Sequence, residues 1–147
     1  MQEGTGLGDN MEIVASFRHQ HYENTINSYL DAGYFVGSFK EYLEQKPLGK
    51  TLILRHDVDN SLECAIKIAQ IEHKCGVNSS YFIRVHSSGY NPFSLRNYRI
   101  IRQLIGFGHE IGLHIEPSMP YVLDEDAIEF CERSKNALEA ITGQPLI

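Results

Sequence analysis

Three short apolar runs, each ending in charged or imidazole-bearing residues, set the limits on how this chain can fold. The first is Leu52-Ile53-Leu54, which runs straight into Arg55-His56-Asp57-Val58-Asp59. The second is Ser80–Val85, followed by His86, and the third is Glu110–Ile115, which carries His114 and is followed by Glu116. Near-continuous apolar runs of this length suit strands buried in a parallel sheet. Thr51–Asp57 is therefore expected to be one central strand, covered on both faces. Helix signals separate the runs. Asn60 or Ser61 caps the first helix, and Glu63, three residues after Asn60, gives capping-box spacing that favours Asn60. Leu62, Ala65, Ile66 and Ala69 line its buried side, and Gly76 ends it. Ser94 caps a second helix carrying Leu95, Tyr98, Ile101 and Ile105. After a loop opened by Pro117 and Pro120, Asp124 is expected to cap the last helix, with Ala127, Cys131, Ser134, Leu138 and Ile141 on one face. The order from residue 51 is βαβαβα, an α/β fold with a parallel sheet.

The lead-in is helical by pattern. Tyr22, Ile26, Tyr29 and Leu30 form a stripe within a helix expected from about Ser16 to Ala32, with Gly33 as its stop. A short strand at Tyr34-Phe35-Val36 follows. Ser38 with Glu41 then forms a capping box before another short helix. Residues 1–15 are polar and glycine-rich and are expected to be a flexible terminus, leaving residues 16–147 as a single domain.

In parallel α/β folds, sites lie at the carboxyl ends of the strands. Asp57/Asp59, His86 and His114/Glu116 all fall at such ends. Asp57 and Asp59 are two apart, so a strand projects both carboxylates from one face. A histidine with one or two aspartates outlines a hydrolytic metal site, in which a metal polarises a carbonyl and acidifies water while a second carboxylate takes the proton. The same residues admit a structural reading, in which Arg55 pairs with the carboxylates and His114 caps a strand end by hydrogen bonds. The residues alone leave both open.

The composition narrows the class. A net charge of −6 gives no electrostatic support to nucleic-acid or membrane-surface binding, and no apolar run is long enough to span a bilayer. The opening MQEGTGLGDNMEI lacks the basic and apolar regions of a signal peptide. Cys64, Cys75 and Cys131 are odd in number and lack CxxC spacing, as expected of reduced thiols in a cytoplasmic protein, with Cys64 and Cys131 expected in the core.

Arg55-His56-Asp57-Val58-Asp59, then Tyr81-Phe82, then Gly108-His109-Glu110-Ile111-Gly112-Leu113-His114, resemble the polysaccharide deacetylases of the NodB-homology, carbohydrate-esterase type. The resemblance covers residues 51–116 closely. More loosely, the aromatic-rich lead-in of residues 17–46 resembles that of a subgroup with the Arg-His-Asp-Val-Asp form. It implies a distorted β/α barrel that removes N-acetyl groups from a polysaccharide or sugar precursor with a divalent metal, often zinc. By position, Asp57 matches the catalytic base, Asp59 the metal-binding carboxylate and His114 the first metal-binding histidine. The family's second histidine, four residues on, is replaced by Ser118, and Glu116 is the candidate substitute ligand. Arg55, His56 and His86 are candidates for substrate contacts. His109, five residues before His114, faces the other way and is expected to anchor a turn, while Gly108 and Gly112 fit a tight turn and a close backbone approach. The resemblance also implies further strands after the last helix, carrying the acetyl pocket and a second catalytic histidine. The domain is therefore expected to be incomplete at its C-terminus, with an open sheet edge available for self-association. Two alternatives stand beside the deacetylase: a non-catalytic remnant that binds sugar or a partner chain, and a different metal-dependent hydrolase on a similar scaffold.

Overall fold

The computed structural model describes the backbone of residues 7–147 and the side chains from residue 18 onward. Helix α1 spans Leu7–Asp31, so it starts well before Ser16 and takes in part of the stretch expected to be flexible. The remainder of that stretch, residues 1–6, lies outside the described residues. Strand β1 (Phe35–Gly37) and helix α2 (Phe39–Gln45) follow, and the Ser38/Glu41 capping box forms as expected. Then come β2 (Thr51–Ile53), β3 (Arg55–Val58), α3 (Leu62–Lys74), β4 (Ser80–Ile83), α4 (Leu95–Gly106), β5 (Glu110–Leu113), α5 (Ser118–Leu123) and α6 (Ala127–Thr142).

All strand pairs are parallel: β1 with β2, and β3–β4–β5 in that order. The expected Thr51–Asp57 strand is divided at Leu54. Before it the chain pairs with β1, and after it with β4. Leu54 belongs to both, since its N–H donates to the Gly37 carbonyl (2.9 Å) and its carbonyl accepts from Ser80 N–H (2.9 Å). The strands therefore lie side by side in chain order, with β2 and β3 sharing one lane. Nor is this lane covered on both faces, because Arg55 and Asp57 are exposed. Among the described residues the strands form no closed barrel.

Helices cover one face. Leu62, Ala65 and Ala69 of α3, Ile101 and Leu104 of α4 and Leu138 and Ile141 of α6 pack against Val58, Tyr81, Ile83 and Ile111. A second cluster joins Ile26 of α1 to Val36, Leu54 and Val77. Several expected positions shift. Ser61, not Asn60, caps α3, because its side chain accepts from Cys64 N–H, while the Asn60 backbone is taken up against Gly89. Asp126, not Asp124, caps α6, accepting from Ile128 and Glu129 N–H; Asp124 instead closes α5 at φ 55°. Helix α5 stands where a loop is expected. Its Pro120 falls in the first turn, where no intrahelical N–H is needed. On α4 the buried stripe is Asn97, Ile101 and Leu104, with Leu95 and Tyr98 exposed, because Asn97 turns inward to donate to the Asn91 carbonyl (2.9 Å). Cys64 is exposed and Cys131 only half-buried, against the expectation of core thiols, and Ala127 on α6 is exposed.

At the far end the Ile147 N–H reaches the Ile111 carbonyl (3.3 Å), so the last residues run along the outer edge of β5. No described helix is long and apolar enough to cross a membrane.

Candidate functional site

Strand alternation sorts the polar residues of β3, β4 and β5 onto two faces. Asp57, Phe82 and Gly112 are register partners, and Asp59, Arg84 and His114 each stand one residue beyond the end of their strand on that same face. Helices α3, α4 and α6 lie on the opposite side. The row of charge at the strand ends is therefore left uncovered by them.

Each member of the row is held by local structure. The loop after β4 pins the end of β3: Tyr90 hydroxyl donates to the Val58 carbonyl (2.7 Å) and Ser87 hydroxyl to the Asp59 carbonyl (2.9 Å). Any side chain at Gly89 would meet the Asn60 carbonyl at 2.6 Å, so this approach requires glycine. Burial pushes the Tyr90 hydroxyl up to about 12, so it remains a donor at neutral pH. On the strand itself, Arg55 Nε donates to Asp57 Oδ1 (2.9 Å), and the Arg55 guanidinium lies 4.2 Å over the Phe82 ring. That ring fits because Gly112 has no side chain; a Cβ there would sit 2.6 Å from it. At the other end of the strands α2 caps the same face. Phe39 N–H donates to Ser80 Oγ (3.1 Å) and Lys40 N–H to Glu110 (3.0 Å), placing a carboxylate at a helix N-terminus, where it is favoured.

Asp59 and His114 meet. Asp59 Oδ1 is 3.2 Å from His114 Nδ1. The direction is wrong for a ring N–H to donate, and the buried Nδ1 has no hydrogen-bond partner among the described residues. Two donors of one tetrahedral zinc stand roughly 3.4 Å apart, given bonds of about 2.1 Å. An imidazole nitrogen without a proton acceptor, at that separation from a carboxylate, fits two ligands of one metal. Arg84 sits beside them, with one nitrogen 3.7 Å from Asp59 Oδ1 and the other bonded to Glu116 Oε2. Glu116 Oε1 accepts from Ser118 hydroxyl (3.1 Å), so both oxygens of the expected substitute ligand are engaged elsewhere. Among the described residues no three His, Cys, Asp or Glu side chains converge as a complete metal set.

The remaining sequence candidates make their direct contacts elsewhere, although His86 shares a small cavity with Arg84, His114 and Glu116. His86 packs against Phe130 of α6 (ring centroids 5.0 Å) and approaches Ser134 Oγ (3.3 Å). His56 points to the helix-covered face and meets Glu72 Oε1 at 2.6 Å. With Tyr81, Asp57, Asp59, Ser61 and Cys64 it also lines a cavity of about 390 Å³ along the free edge of β3. His109 is buried and anchors the turn into β5 as expected: its Nδ1 accepts from Ser79 N–H (3.0 Å), leaving Nε2 to donate to the Ala69 carbonyl (3.3 Å).

Two residues with large roles are not among the sequence candidates. Glu72 is wholly buried and accepts from Tyr22 hydroxyl (2.6 Å) and Tyr81 hydroxyl (2.6 Å) besides its contact with His56. Burial pushes the Glu72 carboxyl up, but the hydrogen bond and charge of His56, with the two tyrosines, outweigh it and hold the group below its usual value. Burial beside that carboxylate drives both tyrosine hydroxyls well above theirs. The signal was in the sequence: Leu62, Ala65, Ala69 and Glu72 follow one helical stripe, so a carboxylate stands on a buried face. Arg84 had a signal too, because two-residue alternation from Phe82 places it on the face of Asp57.

No family model matches the chain, and no curated protein and no solved structure matches it.

Proposed function

We propose that this chain is a metal-dependent hydrolase of the N-deacetylase kind, acting on an acetylated sugar or polysaccharide precursor. The carrying observation is the pair formed by Asp59 Oδ1 and the buried His114 Nδ1 at 3.2 Å, the latter without a hydrogen-bond partner among the described residues, at the carboxyl ends of β3 and β5 with Asp57 one step below on the same face. In this reading Asp59 and His114 would hold a divalent metal, most simply zinc, and Asp57 takes the proton of the attacking water. Arg55 fixes one oxygen of Asp57, leaving the other without a hydrogen-bond partner among the described residues, as a base requires. When bound, the metal supplies Lewis acidity toward an amide carbonyl and acidifies water. The substrate class rests on the sequence resemblance.

The reading carries a fold with it. Parallel lanes in chain order are the progression of a β/α barrel, whereas doubly wound open sheets reverse order at a switch point. That order supports an arc of a distorted barrel. The three free cysteines support a reducing, cytoplasmic setting.

One observation favours the alternative of a non-catalytic, sugar- or partner-binding domain: Glu116 is tied to Arg84 and Ser118, so a third ligand is not in place. Calorimetric titration with zinc decides between them. The hydrolase reading expects one equivalent bound, lost in Asp59→Asn and in His114→Gln, with acetate released from N-acetylated oligosaccharides in a metal-dependent way. A chain that binds no divalent metal sinks it.

A further inference from the structure

We propose that Arg84 is a latch on the metal site: it holds Glu116 away and competes with a divalent cation for Asp59. This inference rests on the metal-site reading above and adds a residue that acts on affinity rather than on the reaction.

Asp59, Arg84 and His114 form one row, each one residue past its strand. The middle member is a cation, only partly exposed, set between a β3 carboxylate and a carboxylate just after β5. Its guanidinium nitrogens reach Asp59 Oδ1 (3.7 Å) and Glu116 Oε2. Without another cation the arrangement is sensible, because two carboxylates close together repel unless a positive charge lies between them. Arginine suits the task, since its planar fork offers separate N–H groups to each. A divalent cation on His114 and Asp59 would place a second positive charge on a carboxylate that Arg84 already serves. The two cations compete for Asp59, and the Arg84–Glu116 pair withholds a further carboxylate. Glu116 is otherwise well placed, because it follows His114 by two residues. Release of Glu116 from Arg84 would turn a two-donor pair into a set of one nitrogen and two carboxylates, the oxygen-rich composition that suits a range of divalent metals.

The test is titration of the full chain with zinc and with cobalt(II), the latter followed by its visible absorption as well as by heat. Arg84→Gln should bind either metal about 10–100-fold more tightly than the unaltered chain, the range over which residues around a metal tune its affinity. Adding Glu116→Gln to that variant should reduce the gain, leaving only the part that comes from relieved competition at Asp59. Arg84→Lys, which keeps the charge but loses the fork, should give a smaller gain of the same sign and serves if Arg84→Gln does not fold. Equal or weaker binding by the Arg84 variants, with unaltered protein still binding through Asp59 and His114, overturns the latch and leaves the metal site standing. A gain that Glu116→Gln leaves undiminished also overturns it, since the released ligand would then be idle. Failure of every variant to bind metal overturns the latch together with the site.

Discussion

On its helix-covered face the β3–β4–β5 sheet presents His56 and Tyr81 to Glu72; on the other it presents Asp57, with Asp59, Arg84 and His114 just past the strand ends. The first group is buried and its carboxylate is fully served, by Tyr22, Tyr81 and His56 from three different elements. The second is half-exposed, and its histidine nitrogen lacks a hydrogen-bond partner among the described residues. Burying a charge is costly unless it is paired and hydrogen-bonded. The Glu72 cluster meets that condition and joins α1, α3, β3 and β4. The Asp59 row leaves its histidine nitrogen unmatched among the described residues, as the proposed metal site requires. The same residue types thus form a satisfied, buried cluster on one side of a strand and a half-exposed row on the other, where the proposed metal site lies.

The largest expected effect is on the covered face. Glu72→Gln removes the charge and replaces one of the two accepting oxygens by an N–H₂ that faces a donor, and should destabilise the chain by about 3–5 kcal/mol in urea unfolding. A loss under about 1 kcal/mol would mean the cluster is not the clamp described. The pH dependence follows from the same face. Glu72 is held below its ordinary value of 4.5, so the unfolded chain takes up that proton first as pH falls. Its contribution is complete above pH 4.5 and declines below it, through the folded group's own pKa. His109, held below its ordinary 6.5 by burial, acts in the same direction and starts the decline below pH 6.5. On acidification the unfolding midpoint should drop first below pH 6.5, through His109, and further below pH 4.5, through Glu72, and Glu72→Gln should flatten the lower part of the profile.

Between the faces stands Gly112→Ala, whose methyl meets the Phe82 ring; it should cost about 1–3 kcal/mol by overpacking and disturb the Arg55–Asp57 platform. On the open face the stability effects shrink. Asp59→Asn and His114→Gln should change stability by less than about 1 kcal/mol, since their contact is partly exposed and lacks a hydrogen bond. The same variants should abolish zinc binding in calorimetry. Smallest of all, Arg55→Met should shift unfolding by about 0.5 kcal/mol or less, the size expected of an exposed ion pair, while slowing any acetate release by loosening Asp57. If instead open-face variants unfold the protein and Glu72→Gln does not, the contrast is inverted.

Much of the frame was legible in the sequence. The apolar runs marked the lane shared by β2 and β3, then β4 and β5, and Gly108 (φ 96°) and Gly112 hold the turn and close approach expected of them. Alternation correctly put Asp57 and Asp59 on one face and His109 opposite His114. What escaped depended on distant partners. Nothing local reveals that Leu54 changes neighbours, because a strand's hydrogen bonds go to chain segments far away. The choice of Ser61 over Asn60 was set by the Gly89 loop, and the fate of Glu116 by Arg84, thirty-two residues earlier. Cys64 fell off the core because α3 turns Leu62, Ala65 and Ala69 inward instead.

Leu54 has a further bearing on which changes the chain can tolerate. Because its N–H and carbonyl are committed to opposite neighbours, the stretch from Thr51 to Val58 has no slack in its phase. A residue inserted or deleted at this point would leave β1–β2 aligned and turn everything after it over by half a period, exchanging the side chains of the two faces. His56 would then point to the open side and Asp57 toward Glu72, carboxylate against carboxylate. Point substitutions at Leu54 can be absorbed by repacking, but a change of length there would cost the buried clamp and the open row together.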